Sequence, residues 1–123
     1  MSDEGTSLED LQRIIRNFVQ ERGWESFHRP TALAISAAIE IGELLEIFQW
    51  RTDKEVAEIM RNPSFQESVS DEIADIIIYL LRLADTLEIS LSQAIQQKMK
   101  KNETKYPAKK WAGRTPHHSP PFD

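Results

Sequence analysis

Apolar residues recur along the chain at spacings of three and four, which is the period of an α-helix. The first such stretch runs from Leu8 to Val19, with Ser7 in the N-cap position and Gly23 shortly after its end. Serine is a favoured N-cap, and glycine is the commonest residue just past the end of a helix. The pattern therefore predicts a first helix that begins after Ser7 and ends near Gly23.

Two further long helices are predicted over about residues 31–50 and 65–87, with a short helix between them. Thr52 or the residue after it is available as the N-cap of the short helix. The β-branched run 76–78 by itself would suit a strand, but its neighbours keep a helical register over more than ten residues. We therefore expect helix throughout this part of the chain.

A last helix is predicted over about residues 91–106, with Ser90 as its N-cap and Pro107 as its end. The polar segment 1–6 is predicted to be disordered, and the segment 108–123, rich in proline and without periodicity, to be irregular or disordered. These patterns predict an all-α fold with a single domain over residues 7–107.

Composition narrows the class of protein. The chain has 123 residues, 40% of them hydrophobic, and no cysteine, which fits one intracellular domain without disulfides or thiolate chemistry. The N-terminus is acidic where a signal peptide is basic, and no apolar run approaches the ~18 residues of a membrane span. The net charge of −5 argues against nucleic-acid binding through a broad basic face. We expect a cytoplasmic protein without membrane or nucleic-acid partners, which could still bind a polyphosphate through metal ions.

The second helix carries acids in an apolar setting. Its circumference is mostly apolar, which predicts a buried helix, yet Glu40, Glu43 and Glu46 form one stripe along it. The third helix repeats the spacing with Glu72 and Asp75. If the two helices pack together, four carboxylates converge, and hard divalent cations with oxygen ligands, Mg²⁺ or Mn²⁺, would offset their repulsion.

Other interpretations of the acidic pairs remain open from the residues alone. The acids could instead pair with arginine and lysine on neighbouring helices, or the second helix could be less buried than its pattern indicates. A di-iron bundle would normally use a Glu-x-x-His motif, whereas these motifs end in Glu43 and Asp75. A non-catalytic helical interaction module is a further alternative.

The acidic pairs also resemble a family signature. Glu40-Ile41-Gly42-Glu43, followed after 28 residues by Glu72-Ile73-Ala74-Asp75, resembles the E-x-x-E…E-x-x-D motif of the MazG-like all-α nucleoside triphosphate pyrophosphohydrolases. From about Leu8 to Pro107 the chain is similar to the dCTP pyrophosphatase branch of that family. The further matching segments are Trp24-Glu25-Ser26-Phe27-His28, Phe48-Gln49-Trp50, residues 75–80, Lys98-Met99, Asn102 and Tyr106-Pro107. Ile39 departs from the pattern, because the wider family often has a further glutamate there.

The resemblance implies a four-helix-bundle fold in an oligomeric helical assembly, usually a homotetramer, with active sites near subunit interfaces. The implied activity is that of a Mg²⁺-dependent hydrolase that cleaves between the α- and β-phosphates of a nucleotide. The implied substrate is dCTP or a modified dCTP, converted to dCMP and pyrophosphate in nucleotide-pool sanitation. An all-α dUTPase-like or broad-specificity pyrophosphatase remains an alternative, because base choice depends on pocket shape.

The resemblance also implies roles for individual residues. The implied metal ligands are Glu40, Glu43, Glu72 and Asp75, and Glu46 is the candidate that orients or deprotonates the attacking water. The implied phosphate contacts are Lys98, Asn102, Lys105 and Tyr106, although a basic helix end is also typical of a solvated surface. The implied base and sugar pocket consists of Trp24, His28, Trp50 and Tyr79, where Trp24 could alternatively plug the end of the bundle. We assign no role to His117 and His118.

Overall fold

A computed structural model describes residues 5–117 of the chain. All regular elements of the described part are helices, and it contains no strand, which confirms the all-α fold class. The helices are α1 (Leu8–Glu21), α2 (Pro30–Phe48), α3 (Asp53–Ile59), α4 (Pro63–Thr86), α5 (Leu91–Lys105) and α6 (Ala108–Trp111), with a 3₁₀ turn at Glu25–Phe27. Within the described residues, 5–89 with α1 to α4 form one compact unit, and 90–117 with α5 and α6 form a second. None of the described helices is long and apolar enough to cross a bilayer.

The helices α1, α3 and α5 begin where the sequence predicts, because side chains satisfy their first backbone N–H groups. The Ser7 hydroxyl accepts the backbone N–H of Asp10 at 3.0 Å, and the Asp10 carboxylate accepts the N–H of Ser7 at 3.1 Å. Thr52 and Glu55 form the same reciprocal pair at the start of α3. Ser90 caps α5 as predicted. Local sequence is therefore sufficient to fix these boundaries.

Gly23 ends α1 and forms the turn that leads to Trp24. Its φ of +62° is a conformation that glycine adopts without a steric penalty. Gly23 N–H donates to the carbonyl of Gln20 at 3.0 Å, and Trp24 N–H donates to the carbonyl of Val19 at 3.1 Å. This pair of bonds is a Schellman motif. The turn brings the Trp24 ring edge-on to Phe18, with ring centroids 5.8 Å apart.

The core of the first unit forms around α4, on which both α1 and α2 pack. Buried apolar side chains come from these three helices, and they are Val19, Leu33, Ala37, Val69, Ile76, Leu81 and Ala84. Ile76 belongs to the β-branched run, which is helical as predicted. Packing on two sides of α4 therefore determines which helical faces lie close together.

The prediction of a buried second helix is wrong for the single chain. Leu33 and Ala37 are buried, but Ile35, Ile39 and Leu45 have exposed fractions of 55%, 58% and 63%. The reason is that α2 packs on α4 along one side, while its opposite apolar side is not covered within the described chain. An apolar circumference records a preference for burial, and it does not say what covers each face.

The segment from residue 108 differs in part from the predicted irregular tail. It begins with the short helix α6, and the Trp111 ring packs edge-on against Tyr106 with centroids 5.0 Å apart. Pro107 precedes α6 at its N-cap position, where its missing N–H costs nothing. Disorder is predicted for residues 1–6, of which 1–4 lie outside the described residues, as do residues 118–123 of the predicted tail, with His118. The domain boundaries at 7 and 107 stay a prediction.

A network of charged side chains fastens α1 to α4. The Asp85 carboxylate accepts hydrogen bonds from Arg16 Nε at 2.8 Å and Arg16 Nη2 at 2.6 Å, and a third from Arg82 Nη1 at 3.1 Å. Gln12 adds a bond from Nε2 to the carbonyl of Leu81 at 3.4 Å. The Arg16 hydrogen bonds are the main reason that the pKa of Asp85 lies below its usual value.

We expect Asp85→Asn to lower the free energy of unfolding by about 2 kcal/mol at pH 7, because two guanidinium groups lose their shared anion. Since the folded-state pKa of Asp85 is lowered, its stabilisation is fully present above the unfolded pKa of ~3.9 and is lost as the pH falls through the folded value. Denaturant unfolding between pH 7 and pH 2 measures this difference. Glu67→Gln, at an exposed position of α4, is the control. An equal loss of stability at every pH would contradict the ionic explanation.

Candidate active site and metal centre

Three glutamates from two helices converge in the first unit. Glu40 and Glu43 lie one turn apart on α2, and Glu72 lies on α4. One carboxylate oxygen from each lies within 4.8 Å of the others. Glu40 and Glu72 are half-buried, while Glu43 is exposed. The packing of α2 on α4 thus brings together three of the four predicted metal ligands.

The proximity of the carboxyl groups changes their acidity. The pKa of Glu40 is raised, chiefly by its hydrogen bond with Glu72. The pKa of Glu43 is also raised, chiefly by its hydrogen bond with Glu40. Carboxylates this close together disfavour each other's ionised form. The cluster therefore needs protons or a cation to offset its negative charge.

Glu72 provides a test of whether a metal ion fits. Its Oε2 is buried and has no hydrogen-bond partner among the described residues. A buried carboxylate oxygen without a partner is unfavourable, and an oxygen-binding divalent cation would satisfy it. Because the three available ligand atoms are all carboxylate oxygens, the chemistry of the donor set suits a hard divalent cation. The glutamate cluster could hold one.

Asp75, the fourth predicted ligand, lies outside the cluster of three. It is one turn beyond Glu72 on α4, lines the same cavity as Glu40, and its charge contributes to the raised pKa of Glu40. Glu46 is exposed on α2, and its charge is among the causes that raise the pKa of Glu43. Both acids therefore act on the cluster electrostatically, and their predicted direct roles stay predictions.

A cavity of about 300 Å³ opens beside the cluster, within the first unit. Apolar side chains of α1 and α4 form part of its wall. Its aromatic, polar and charged lining consists of Trp24, His28, Tyr79, Glu40, Asp75 and Arg82. Three of the four residues predicted for the base pocket thus share one cavity with two of the predicted acids.

Trp50, the fourth residue predicted for the base pocket, does not line this cavity in the single chain. Its side chain is 91% exposed. It occupies the third position of a type II turn, with φ +69° and with Arg51 N–H donating to the carbonyl of Phe48 at 3.1 Å. That position usually requires glycine or asparagine, so the backbone at Trp50 is strained.

The residues predicted to contact phosphate all belong to the second unit. Lys98 and Asn102 lie on α5, and Asn102 Nδ2 lies 3.9 Å from Met99 Sδ. Lys105 and Tyr106 line a separate cavity of about 530 Å³ within that unit. Contact between these residues and phosphate stays a prediction.

Sequence reasoning missed Arg82. This residue is only 8% exposed, lines the 300 Å³ cavity, and donates from Nε to Nδ1 of His28 at 3.3 Å. A signal was present, because Arg82 interrupts an apolar run and Asp85 follows at i+3, where the two side chains can pair. The link to His28 spans 54 positions in sequence, and nothing in the local pattern indicates it.

Known proteins with similar sequences include two dCTP pyrophosphatases. The chain is 40% identical over 101 residues to dCTP pyrophosphatase 1 of Bos taurus and 39% identical over 102 residues to that of Homo sapiens. These matches cover 82% and 83% of the chain but only 60% of each relative, so the chain spans about three fifths of their length.

A solved structure and a family model complete the comparison. A pyrophosphatase from Archaeoglobus fulgidus is 48% identical, with a TM-score of 0.73, and the match covers 81% of this chain and 92% of that one. The model of the MazG-like family matches residues 35–115, which include the three clustered glutamates. Taken with the E-x-x-E motif on α2 and its partner glutamate on α4, these matches show that the chain belongs to the MazG-like family.

Proposed function

We propose that the protein is a Mg²⁺-dependent nucleoside triphosphate pyrophosphohydrolase that converts dCTP or a modified dCTP to dCMP and pyrophosphate. The observation that carries this proposal is the cluster of Glu40, Glu43 and Glu72 beside a 300 Å³ cavity with aromatic walls. The relatives named dCTP pyrophosphatase support the choice of base. A dUTPase-like or broad-specificity enzyme is the alternative within the same fold.

The metal proposed for the cluster is Mg²⁺, with Mn²⁺ as the alternative. Glu40, Glu43 and Glu72 would hold it, with Asp75 as the further ligand inferred from the family motif. A bound divalent cation would screen the charge that develops on the phosphate oxygens during phosphoryl transfer. A cluster of carboxylates without histidine differs from the usual ligand set of a di-iron bundle, which makes that alternative less suitable.

The chain's own residues would act on the water and on the phosphates. In the proposed hydrolysis, water attacks the α-phosphorus in line with the bond to the bridging oxygen. That bond breaks, and pyrophosphate leaves. Glu46 is our candidate to accept the proton of that water, because it is exposed one turn beyond Glu43. Lys98, Asn102, Lys105 and Tyr106 are the residues we propose to hold the triphosphate through charge and hydrogen bonds.

The nucleoside would occupy the aromatic cavity. Two aromatic side chains, Trp24 and Tyr79, offer flat surfaces for a base, and His28 offers a directional hydrogen bond. The Schellman motif and Phe18 hold Trp24 in place. The volume lies at the lower end of the range for small-molecule sites, which suits the nucleoside part of the substrate.

We also propose that the protein is a homo-oligomer, in the form of a tetramer. The exposed apolar side chains of α2 support this assembly, because such a surface is stabilised when a second copy covers it. Trp50, exposed on a strained turn, would then be available to a neighbouring copy's base pocket. The cytoplasmic location expected from the sequence stays a prediction.

The same exposed surface favours a second candidate function, a non-catalytic helical interaction module. In that case the glutamates would contribute only to assembly between chains. The two candidates predict different effects of removing a single carboxylate from the cluster.

Incubation of the protein with each nucleoside triphosphate and Mg²⁺ tests the proposed reaction. We expect dCTP to give dCMP and pyrophosphate in equal amounts, because cleavage falls between the α- and β-phosphates. Anion-exchange chromatography of the products identifies them. Release of single orthophosphate, or no turnover of any nucleotide, would overturn the proposal, whereas a preference for dUTP would move it to the alternative substrate.

We expect Glu43→Gln to lower kcat/KM about 100-fold or more, because it removes a charged ligand from the site that stabilises the transition state. Glu43 is exposed, so the variant should keep its fold and its oligomeric state. Steady-state kinetics and analytical ultracentrifugation measure the two properties. Glu58→Gln, at an exposed position of α3, is the matched control. An altered oligomeric state with unchanged kcat/KM would favour the interaction module.

Glu72→Gln should abolish the stabilisation of the protein by Mg²⁺. Saturating cation should raise the Tm of the natural protein by about 5 °C, since it binds only the folded state and neutralises the cluster. Without cation, the variant should be at least as stable as the natural protein, because it lacks one of three mutually repelling charges. Thermal unfolding with and without Mg²⁺ measures both effects, with Glu67→Gln as the control. An unchanged response of the variant to Mg²⁺ would refute the cluster as the metal site.

A further inference from the structure

The contact between Arg82 and His28 determines which nitrogen of the histidine is protonated. Arg82 Nε lies 3.3 Å from His28 Nδ1, with the geometry of a hydrogen bond. A guanidinium group has only donors and stays protonated, so Nδ1 must be the acceptor. A neutral imidazole carries its proton on one nitrogen only. The proton of His28 therefore lies on Nε2, at the other edge of the ring.

The Arg82 side chain is itself held in place. Its guanidinium donates from Nη1 to Asp85, and the same carboxylate accepts two bonds from Arg16. Arg82 is 8% exposed, so little space is available for another orientation. This chain of contacts joins α1 and α4 to His28, which lies two residues before the start of α2 at Pro30. His28 thereby receives a fixed donor from a fixed direction.

Burial and the contact with Arg82 favour the neutral ring of His28. The network itself contains Arg16 and Arg82 with two positive charges and Asp85 with one negative charge, while Glu40 and Asp75 add negative charge to the same cavity. The pKa of His28 is lowered, first by burial and then by Arg82. An uncharged ring with a proton on Nε2 is a hydrogen-bond donor at that edge, and it cannot accept there.

We propose that Arg82 is a positioning residue that holds His28 in the Nε2–H tautomer, so that His28 donates a hydrogen bond to a carbonyl oxygen of the pyrimidine base. The inference rests on the proposed function for its ligand, because both residues line the cavity assigned to the nucleoside. The acceptor that we assign is the 2-carbonyl oxygen, which cytosine and uracil share. His28 thus selects for an acceptor on the base, and other groups must distinguish the two pyrimidines.

The tautomer can be observed without any substrate. In the ¹⁵N-labelled natural protein at pH 8, two-bond ¹⁵N–¹H correlation spectra should show His28 Nδ1 at the shift of an unprotonated nitrogen and Nε2 at that of a protonated one. The spectrum of His28→Gln assigns the signals among the three histidines of the chain. A protonated Nδ1 in the natural protein would overturn the proposal by itself. This measurement needs no enzymatic activity, so its failure is distinct from failure of the proposed reaction.

Variants of Arg82 test the functional part. Arg82→Met should move the His28 Nδ1 shift towards that of a protonated nitrogen and raise KM for dCTP about tenfold, with kcat within about twofold. Arg82→Lys keeps a donor and should restore at least part of both properties. Arg61→Met removes an exposed guanidinium of the same charge and should change neither. Unchanged Nδ1 shifts in a folded Arg82→Met variant would overturn the positioning role.

A substrate analogue tests the acceptor. Replacing the 2-carbonyl oxygen of dCTP with sulfur, a weak acceptor, should raise KM for the natural protein about tenfold and for Arg82→Met by much less. The non-additive effect would show that Arg82 and the carbonyl act through one hydrogen bond. Equal effects of the analogue on both proteins would overturn the assignment of the 2-carbonyl oxygen. If Arg82→Met does not fold, the effect of the analogue on KM is compared between the natural protein and His28→Gln. Equal effects on these two proteins would overturn the assignment of the 2-carbonyl oxygen.

Discussion

Mutual repulsion among three carboxylates is the constraint on which the site depends. The packing of α2 on α4 holds Glu40, Glu43 and Glu72 within 4.8 Å of one another and raises the pKa of the first two. Without a bound cation such a cluster destabilises the folded protein, because each carboxylate charge repels its neighbours. The arrangement becomes favourable when a divalent cation is bound. The buried, unpartnered Oε2 of Glu72 points to the same conclusion.

The cavity beside the cluster carries charge of both signs. Glu40 and Asp75 contribute negative charge, while Arg82, paired with Asp85, contributes positive charge. The nucleoside triphosphate of the proposed reaction has two parts with different needs. Its phosphate chain is negatively charged and needs cations, and its neutral base needs flat surfaces and directed hydrogen bonds. The polar network between α1 and α4 therefore has two consequences: it stabilises the packing of the helices, and it directs the Arg82 donor at Nδ1 of His28.

Local sequence accounts for much of this arrangement. Capping residues set the helix starts, and Gly23 produces the turn that places Trp24 against Phe18. Trp50 is the contrary case, because a tryptophan at φ +69° goes against local preference. The exposure of Trp50 and of the uncovered apolar side chains of α2 is likewise not accounted for by local sequence.

The sequence by itself determined the all-α class, the starts of α1, α3 and α5 and the glutamates that lie on one face of α2, because these features depend on neighbours within one or two turns. Only the tertiary structure decided that Glu72 joins the α2 pair while Asp75 lies just outside it, and that Arg82 reaches His28 across 54 positions. It also decided which apolar side of α2 is covered. Such facts depend on how helices pack, and the periodicity of one helix carries no information about the neighbour that it meets.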